Sequence, residues 1–261
     1  MKDNVNIKFL GEDKWKYVPR QKLCIDLIQK IGLSEGATVL DVGVGDGSFL
    51  NILDKRFHLD CYGLEYSKKL ISECKNKNIK FKMGNAEKKL PYNDNFFDLI
   101  HASELIEHLC NVDKFLNECN RILKHGGTLL ITTPNLVSWY NRILFLFGRQ
   151  PIFLETSTQS GEVGMGFLNK LKLTKEPFGH IRNFNYYSMK DILKLHGFKL
   201  TNFYGVDFEH FPKKLVFIEK FFNLFPRLSS IMVVKAVKIK PKINLRKSLE
   251  SFGFPLIEDD N

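Results

Sequence analysis

Residues 38–48 read Thr38-Val39-Leu40-Asp41-Val42-Gly43-Val44-Gly45-Asp46-Gly47-Ser48. A short apolar run enters three glycines at alternate positions, and helical apolar spacing begins at Ser48. Apolar residues pointing both ways suit a strand covered on both faces. The glycines let the turn take positive φ and bring backbone close to a ligand. Outward from this stretch the alternation repeats. Strand-like runs lie at Thr38–Gly43, Cys61–Glu65, Lys80–Gly84, Phe97–Ala102 and Thr128–Thr133, separated by helical spacing at Ser48–Lys55, Ser67–Asn76 and Val112–Lys124. Such alternation predicts parallel strands joined by right-handed helical crossovers, with ligands bound beyond the carboxyl ends of the strands. After Pro134 the pattern predicts a helix over Leu136–Phe147, an irregular stretch over 148–185, and a capped helix over Ser188–His196 stopped by Gly197. Strands follow at Lys199–Val206 and Ile231–Ile239, with a Phe-rich stretch, Leu215–Phe225, between them. The expectation is an α/β, doubly wound, mostly parallel seven-stranded sheet.

The chain has 261 residues, 44% of them hydrophobic and 23 of them Phe, enough for a large core, so a disordered or fibrous chain is excluded. Net charge is +10, but it is unevenly placed. Residues 1–169 carry a surplus of two positive charges and residues 170–261 a surplus of eight. A basic final third suits nucleic acid, an anionic membrane surface or a small acidic substrate. Five cysteines (Cys24, Cys61, Cys74, Cys110, Cys119) without a C-x-x-C pair suit free thiols in a reducing cytoplasm. The N-terminal residues lack the apolar core of a signal peptide, and the most apolar long stretch, Ile143–Leu154, is too short to span a bilayer. A soluble cytoplasmic protein is expected.

The glycine spacing is G-x-G-x-G. The dinucleotide fingerprint would place a third glycine where Ser48 stands. Asp41, two residues ahead of Gly43, would repel a pyrophosphate and suit a ligand with an ammonium group. Glu65 ends the second strand, 24 residues after Asp41, where a carboxylate can accept from ribose hydroxyls. Gly84-Asn85-Ala86-Glu87 follows the third strand, and Asp98-Leu-Ile-His101-Ala-Ser103-Glu104-Leu-Ile-Glu107-His108-Leu109 closes the fourth. In order and spacing, residues 35–135 resemble the class I S-adenosylmethionine (SAM)-dependent methyltransferases. That resemblance implies a Rossmann-like fold, SAM as cofactor and S-adenosylhomocysteine as its product. It implies Asp41, Gly43, Gly45 and Gly47 as the first cofactor motif, Glu65 with Tyr66 at the ribose, and Asn85, Ala86 and Glu87 at the adenine. His101 and Ser103 would line the methionine moiety, and Arg20 would reach the cofactor carboxylate from the N-terminal segment. The Glu104–Leu109 run, E-x-x-E-H-L, is similar to small-molecule O-methyltransferases of the ubiquinone type.

Methyl transfer needs acceptor, methyl and sulfur in line, and a hydroxyl acceptor also needs a base. Acceptor-binding elements are expected after the fifth strand. That segment is similar to methyltransferases of bacterial surface-polysaccharide pathways. His180, in Phe178-Gly-His180-Ile-Arg182, is the first candidate base, because its ordinary pKa lies near neutrality. His108 is the rival, placed on a helix after the fourth strand. Arg182, Arg149, Asn135, Tyr186 and Tyr187 are candidate acceptor contacts. No metal is expected, because helix and cofactor contacts account for the Glu104–His108 run. The organisation expected is a methyltransferase domain over 1–240, with a lid over 136–187 and an insert over 207–228, followed by a tail over 241–261. The reaction expected is O-methylation of a small phosphorylated or nucleotide-linked acceptor for a surface glycan. A quinone ring is the alternative, and RNA methylation or a non-catalytic SAM-binding role is less favoured. For the Phe-rich insert two readings stand: cover for a sheet edge or homodimer contact, or an amphipathic helix on an anionic membrane.

Overall fold

The computed structural model of the chain describes residues 18–73, 78–166, 176–208 and 216–239. The tail over 241–261, Cys74, and parts of the lid (167–175) and insert (209–215) lie outside them. Seven strands form one sheet: β1 (Thr38–Val42), β2 (Asp60–Glu65), β3 (Lys80–Met83), β4 (Phe97–Ser103), β5 (Leu123–Pro134), β6 (Phe198–Val206) and β7 (Ile231–Lys238). Their order is β3-β2-β1-β4-β5-β7-β6. Pairings from β3 through β5 are parallel, and β7 runs antiparallel to both β5 and β6. The sheet is therefore mixed, with one reversed strand near its edge. The switch point lies between β1, which turns outward to β2, and β4, which continues to β5.

Successive residues of each central strand enter opposite cores, as the two-residue period requires. Val39, Leu99, Leu130 and Val233 pack under α1 (Pro19–Ile31) and α2 (Ser48–Phe57) through Cys24, Ile28, Phe49, Leu50 and Leu53. Leu40, Ile100, Leu129 and Val234 pack under α4 (Val112–Ile122) and α6 (Tyr186–Leu195) through Phe115, Leu116, Cys119, Met189 and Leu193. Complete burial of each such side chain stabilises by roughly 1.5–3 kcal/mol. The remaining helices are α3 (Lys68–Glu73), α5 (Trp139–Leu146) and α7 (Val216–Phe222).

Helix α5 begins at Trp139, three residues later than expected, and three other departures from the sequence pattern have local reasons. Helix α4 stops at Ile122, because the chain enters β5 at once through a bulge over 124–127 where Gly126 takes φ +74°. Helix α6 starts two residues early, at Tyr186. Asn185 accepts from the Tyr187 and Ser188 amides, and Ser188 Oγ accepts from the Asn185 amide, a reciprocal cap. Glu104–His108 does not lie on an α-helix. Glu104 sits at φ +49° and Ile106–His108 forms one 3-10 turn.

Candidate active site

The chain leaves β1 through Gly43, Gly45 and Gly47 at φ +76°, +58° and +75°, a conformation other residues adopt at a cost. A Cβ on Gly45 would meet nothing within 4 Å, so open space lies beside the loop. Glu65, at the end of β2, faces the same loop. Its Oε2 accepts from the Gly45 amide at 3.0 Å, and its Oε1 from Tyr66 and Ser67 at 2.8 and 3.0 Å. A carboxylate beside a wide glycine turn at the switch point fits a ribose diol, with Tyr66 exposed alongside. These residues fit SAM, whose contribution when bound is an electrophilic methyl group.

Asp41 does not project into that space. Its carboxylate is 4% exposed and bonds His101 Nδ1 at 2.7 Å on the neighbouring strand, where Asp41 and His101 are register partners. The His101 ring stacks on Phe49 at 4.2 Å. Burial alone would lower the His101 pKa, but the Asp41 charge and hydrogen bond outweigh it and raise it to about 10. The pair is thus a buried ion pair joining β1 to β4 at the strand ends that lead to the glycine loop. After β3, Asn85 Oδ1 accepts from the Glu87 amide at 2.7 Å, Ala86 is half-buried between them, and Glu87 Oε1 accepts from the Asn111 amide at 2.7 Å. Ser103 Oγ pairs with Thr132 Oγ1 at 2.8 Å. Arg20, at the start of α1, acts electrostatically on Glu104 and Glu107, where its charge offsets part of the rise that burial imposes on both carboxyl groups. That places the guanidinium near the carboxyl end of β4.

At the same end of the sheet the structure joins segments the sequence leaves 72 residues apart. His108 Nδ1 lies 3.1 Å from the Gly179 carbonyl, and the His108 and His180 rings meet at 5.0 Å. Amides of Ile181 and Arg182 donate to the Glu107 carbonyl at 2.8 and 2.9 Å, and Arg182 also donates to the Cys110 carbonyl. The Glu155 carboxylate accepts from Phe178, Gly179 (2.7 Å) and His180 (3.0 Å) amides, so five successive amides hold this loop. Phe178 stacks on His180, with Phe153 against both and Phe208 behind.

Glu107 was not among the expected site residues, and the structure puts it at the centre. It is 1% exposed, its Oε2 accepts from Thr133 Oγ1 at 2.9 Å, and its Oε1 has no hydrogen-bond partner. Burial, and then the Glu104 charge, raise its pKa to about 8. Burial also raises that of Glu104. For His180, burial and the neighbouring His108 push the pKa down to about 4, so its ring is neutral at physiological pH. Glu107, His108 and His180 offer ligand atoms within 4.8 Å of one another, a donor set able to hold a divalent cation. The E-x-x-E-H spacing was the visible signal. Read as helix, it hid the bend that turns Glu107 inward and His108 toward residue 180.

The other candidate acceptor contacts lie elsewhere. Asn135, 1% exposed, donates to the Ser229 and Arg227 carbonyls and accepts from Val137, which ties the end of β5 to the turn ahead of β7. Tyr186 and Tyr187 flank the Arg227 guanidinium at 4.1 and 5.2 Å, and the Tyr187 hydroxyl accepts from it. Arg149 lies over Gly166.

A family model described as a methyltransferase domain matches residues 15–202. The chain is 32% identical over 109 residues to the mitochondrial ubiquinone biosynthesis O-methyltransferase of Rattus norvegicus, covering 38% of this chain and 31% of that one. It is 28% identical over 133 residues to the demethylmenaquinone methyltransferase of Tropheryma whipplei, covering 49% and 51%. These matches span 31% and 51% of the relatives' own lengths. Among solved structures, phosphoethanolamine N-methyltransferase 2 of Haemonchus contortus, in complex with phosphomonomethylethanolamine and S-adenosylhomocysteine, superposes with a TM-score of 0.56 at 15% identity. That superposition covers 84% of this chain and 53% of that one, and it shows a shared fold.

Proposed function

This chain belongs to the class I SAM-dependent methyltransferases, and from that premise we propose that it O-methylates a hydroxyl on an aromatic ring of the quinone-precursor kind. The observation that carries the reading is the Glu107–His108–His180 cluster, walled by Phe153 and Phe178, at the strand end beside the glycine loop. Aromatic walls hold a flat ring, and the cluster supplies proton acceptors where its hydroxyl would lie. A neutral His180 offers no positive charge to a phosphoryl oxygen, which weighs against the phosphorylated glycan acceptor expected from sequence. The names of the quinone-pathway relatives point the same way.

In this reading Gly43, Gly45, Gly47 and Glu65 hold the cofactor, and Arg20 faces the reacting end. The described residues of 136–187 form the lid that excludes water, and the described residues between 18 and 239 act as one domain. Glu107 receives the acceptor's proton, directly or through His180. Glu155 fixes the loop that presents His180. The test is incubation with SAM carrying a deuterated methyl group against catechol-type quinone precursors, nucleotide sugars and RNA. Label in the phenolic pool supports the reading, and label confined to sugars or RNA refutes it. A second reading, metal-assisted orientation of the hydroxyl, is favoured by the unpartnered Glu107 Oε1 beside the two imidazoles.

A further inference from the structure

The Phe-rich insert does not cover the sheet with its aromatic side chains. Helix α7 is held by one buried residue, Glu219, 1% exposed. Its carboxylate accepts from Trp139 Nε1 at 2.7 Å, Ser230 Oγ at 2.6 Å and the Phe208 amide at 3.1 Å. A carboxylate anchor turns the opposite face outward. Phe217, Phe221, Leu224 and Phe225 are 69%, 56%, 72% and 52% exposed. Phe222 stacks on Trp139, the first residue of α5, at 4.9 Å and 9°. Along α5 and its end, Ile143, Phe145, Leu146 and Phe147 are exposed as well. These two joined segments hold eight of the fourteen large exposed hydrophobic residues among the described residues.

Within the two segments the charges, the buried Glu219 apart, have one sign, and Asp207 accepts from Asn223 at the end of α7. Arg142 and Arg149 flank the α5 cluster, and Lys220 and Arg227 flank the α7 cluster, all exposed. Residues 136–149 contain no acid, and Glu219 is the only acid in 216–228. Exposed apolar patches of this kind mark contact surfaces. A symmetric dimer through this face would set four cations of one copy against four of the other. A bilayer bearing anionic lipid offers both apolar depth and the opposite charge.

We propose that α5 and α7 together form a peripheral docking face for an anionic membrane surface. The aromatic and leucine side chains enter the headgroup boundary, and Arg142 and Lys220 meet lipid phosphates. The inference is independent of the acceptor's identity.

The full chain is floated with vesicles of phosphatidylglycerol and of phosphatidylcholine, alongside the double variants L146S/F147S and F221S/F225S. Circular dichroism and SAM affinity serve as folding controls. The expected result is binding to phosphatidylglycerol vesicles, weaker binding to phosphatidylcholine, and a loss of about tenfold or more in each folded variant. Equal recovery with both lipids, or folded variants that bind like the parent, overturns the proposal. So does a concentration-dependent dimer in sedimentation velocity that the same variants abolish, or displacement of the vesicles by RNA.

Discussion

Substituting His101→Ala tests the reasoning about the buried charge under the glycine loop. Asp41 and His101 are 4% and 2% exposed, 2.7 Å apart, on adjacent strands. Removing the imidazole leaves a carboxylate buried without its counter-charge and removes the stack on Phe49. Breaking a buried pair from one side costs about 3–5 kcal/mol. Asp41→Asn combined with His101→Asn keeps neutral hydrogen-bonding groups and should recover most of that loss. Urea unfolding followed by circular dichroism at pH 7 measures both. pH adds an independent arm. The folded pKa of His101, about 10, lies above its ordinary 6.5. Its stabilisation is therefore complete below pH 6.5 and is lost as pH rises through 10, because the native state holds a proton the unfolded chain has released. The wild type should lose stability relative to the double variant across that window. A single variant within about 1 kcal/mol of wild type, or a double variant no better than the single, refutes a charged pair.

Three further outcomes follow from the site. Glu65→Ala should weaken SAM binding by about 10- to 100-fold in calorimetry, since it removes the carboxylate that braces Gly45 and faces the ribose position. Native-like affinity would remove Glu65 from the cofactor site. Glu107 is protonated below its pKa of about 8, so kcat should rise with pH through that region, and E107Q should flatten the limb and lower kcat by about 100-fold or more. A limb at pH 4 alone would assign the proton to His180 instead. If a cation occupies the Glu107–His108–His180 donors, chelator-treated enzyme should lose activity, Mn²⁺ should restore it, and H108A should abolish the restoration. Activity indifferent to chelator and Mn²⁺ would leave the cluster a proton site.

The parallel half of the fold was legible because each strand there is an apolar run bounded by a turn signal. Thr38–Gly43 and Phe97–Ala102 needed only one-residue adjustments at their ends. The early start of β5 was not legible. Lys124, His125 and the two glycines carry no strand pattern, and only the bulge against Phe97 brings Leu123 into the sheet. The same limit applies to the site. Glu65 and the three glycines follow one another along the motif, so their meeting could be read from order. Glu107 with His180, and Glu219 with Trp139, are long-range pairs created by tertiary packing. Asn135 shows the converse, a polar residue at a strand end whose amide is consumed by backbone groups of 227–229.

SAM binding at the glycine loop and acceptor activation at the Glu107–His108–His180 cluster are separable functions of the site. Single-turnover transfer from deuterated SAM, measured for wild type and H180A with the SAM Kd determined on the same samples, tests this most directly. An unchanged Kd and transfer slower by about 100-fold or more are expected in the variant. Transfer at the wild-type rate, or loss of SAM binding together with transfer, would contradict that separation.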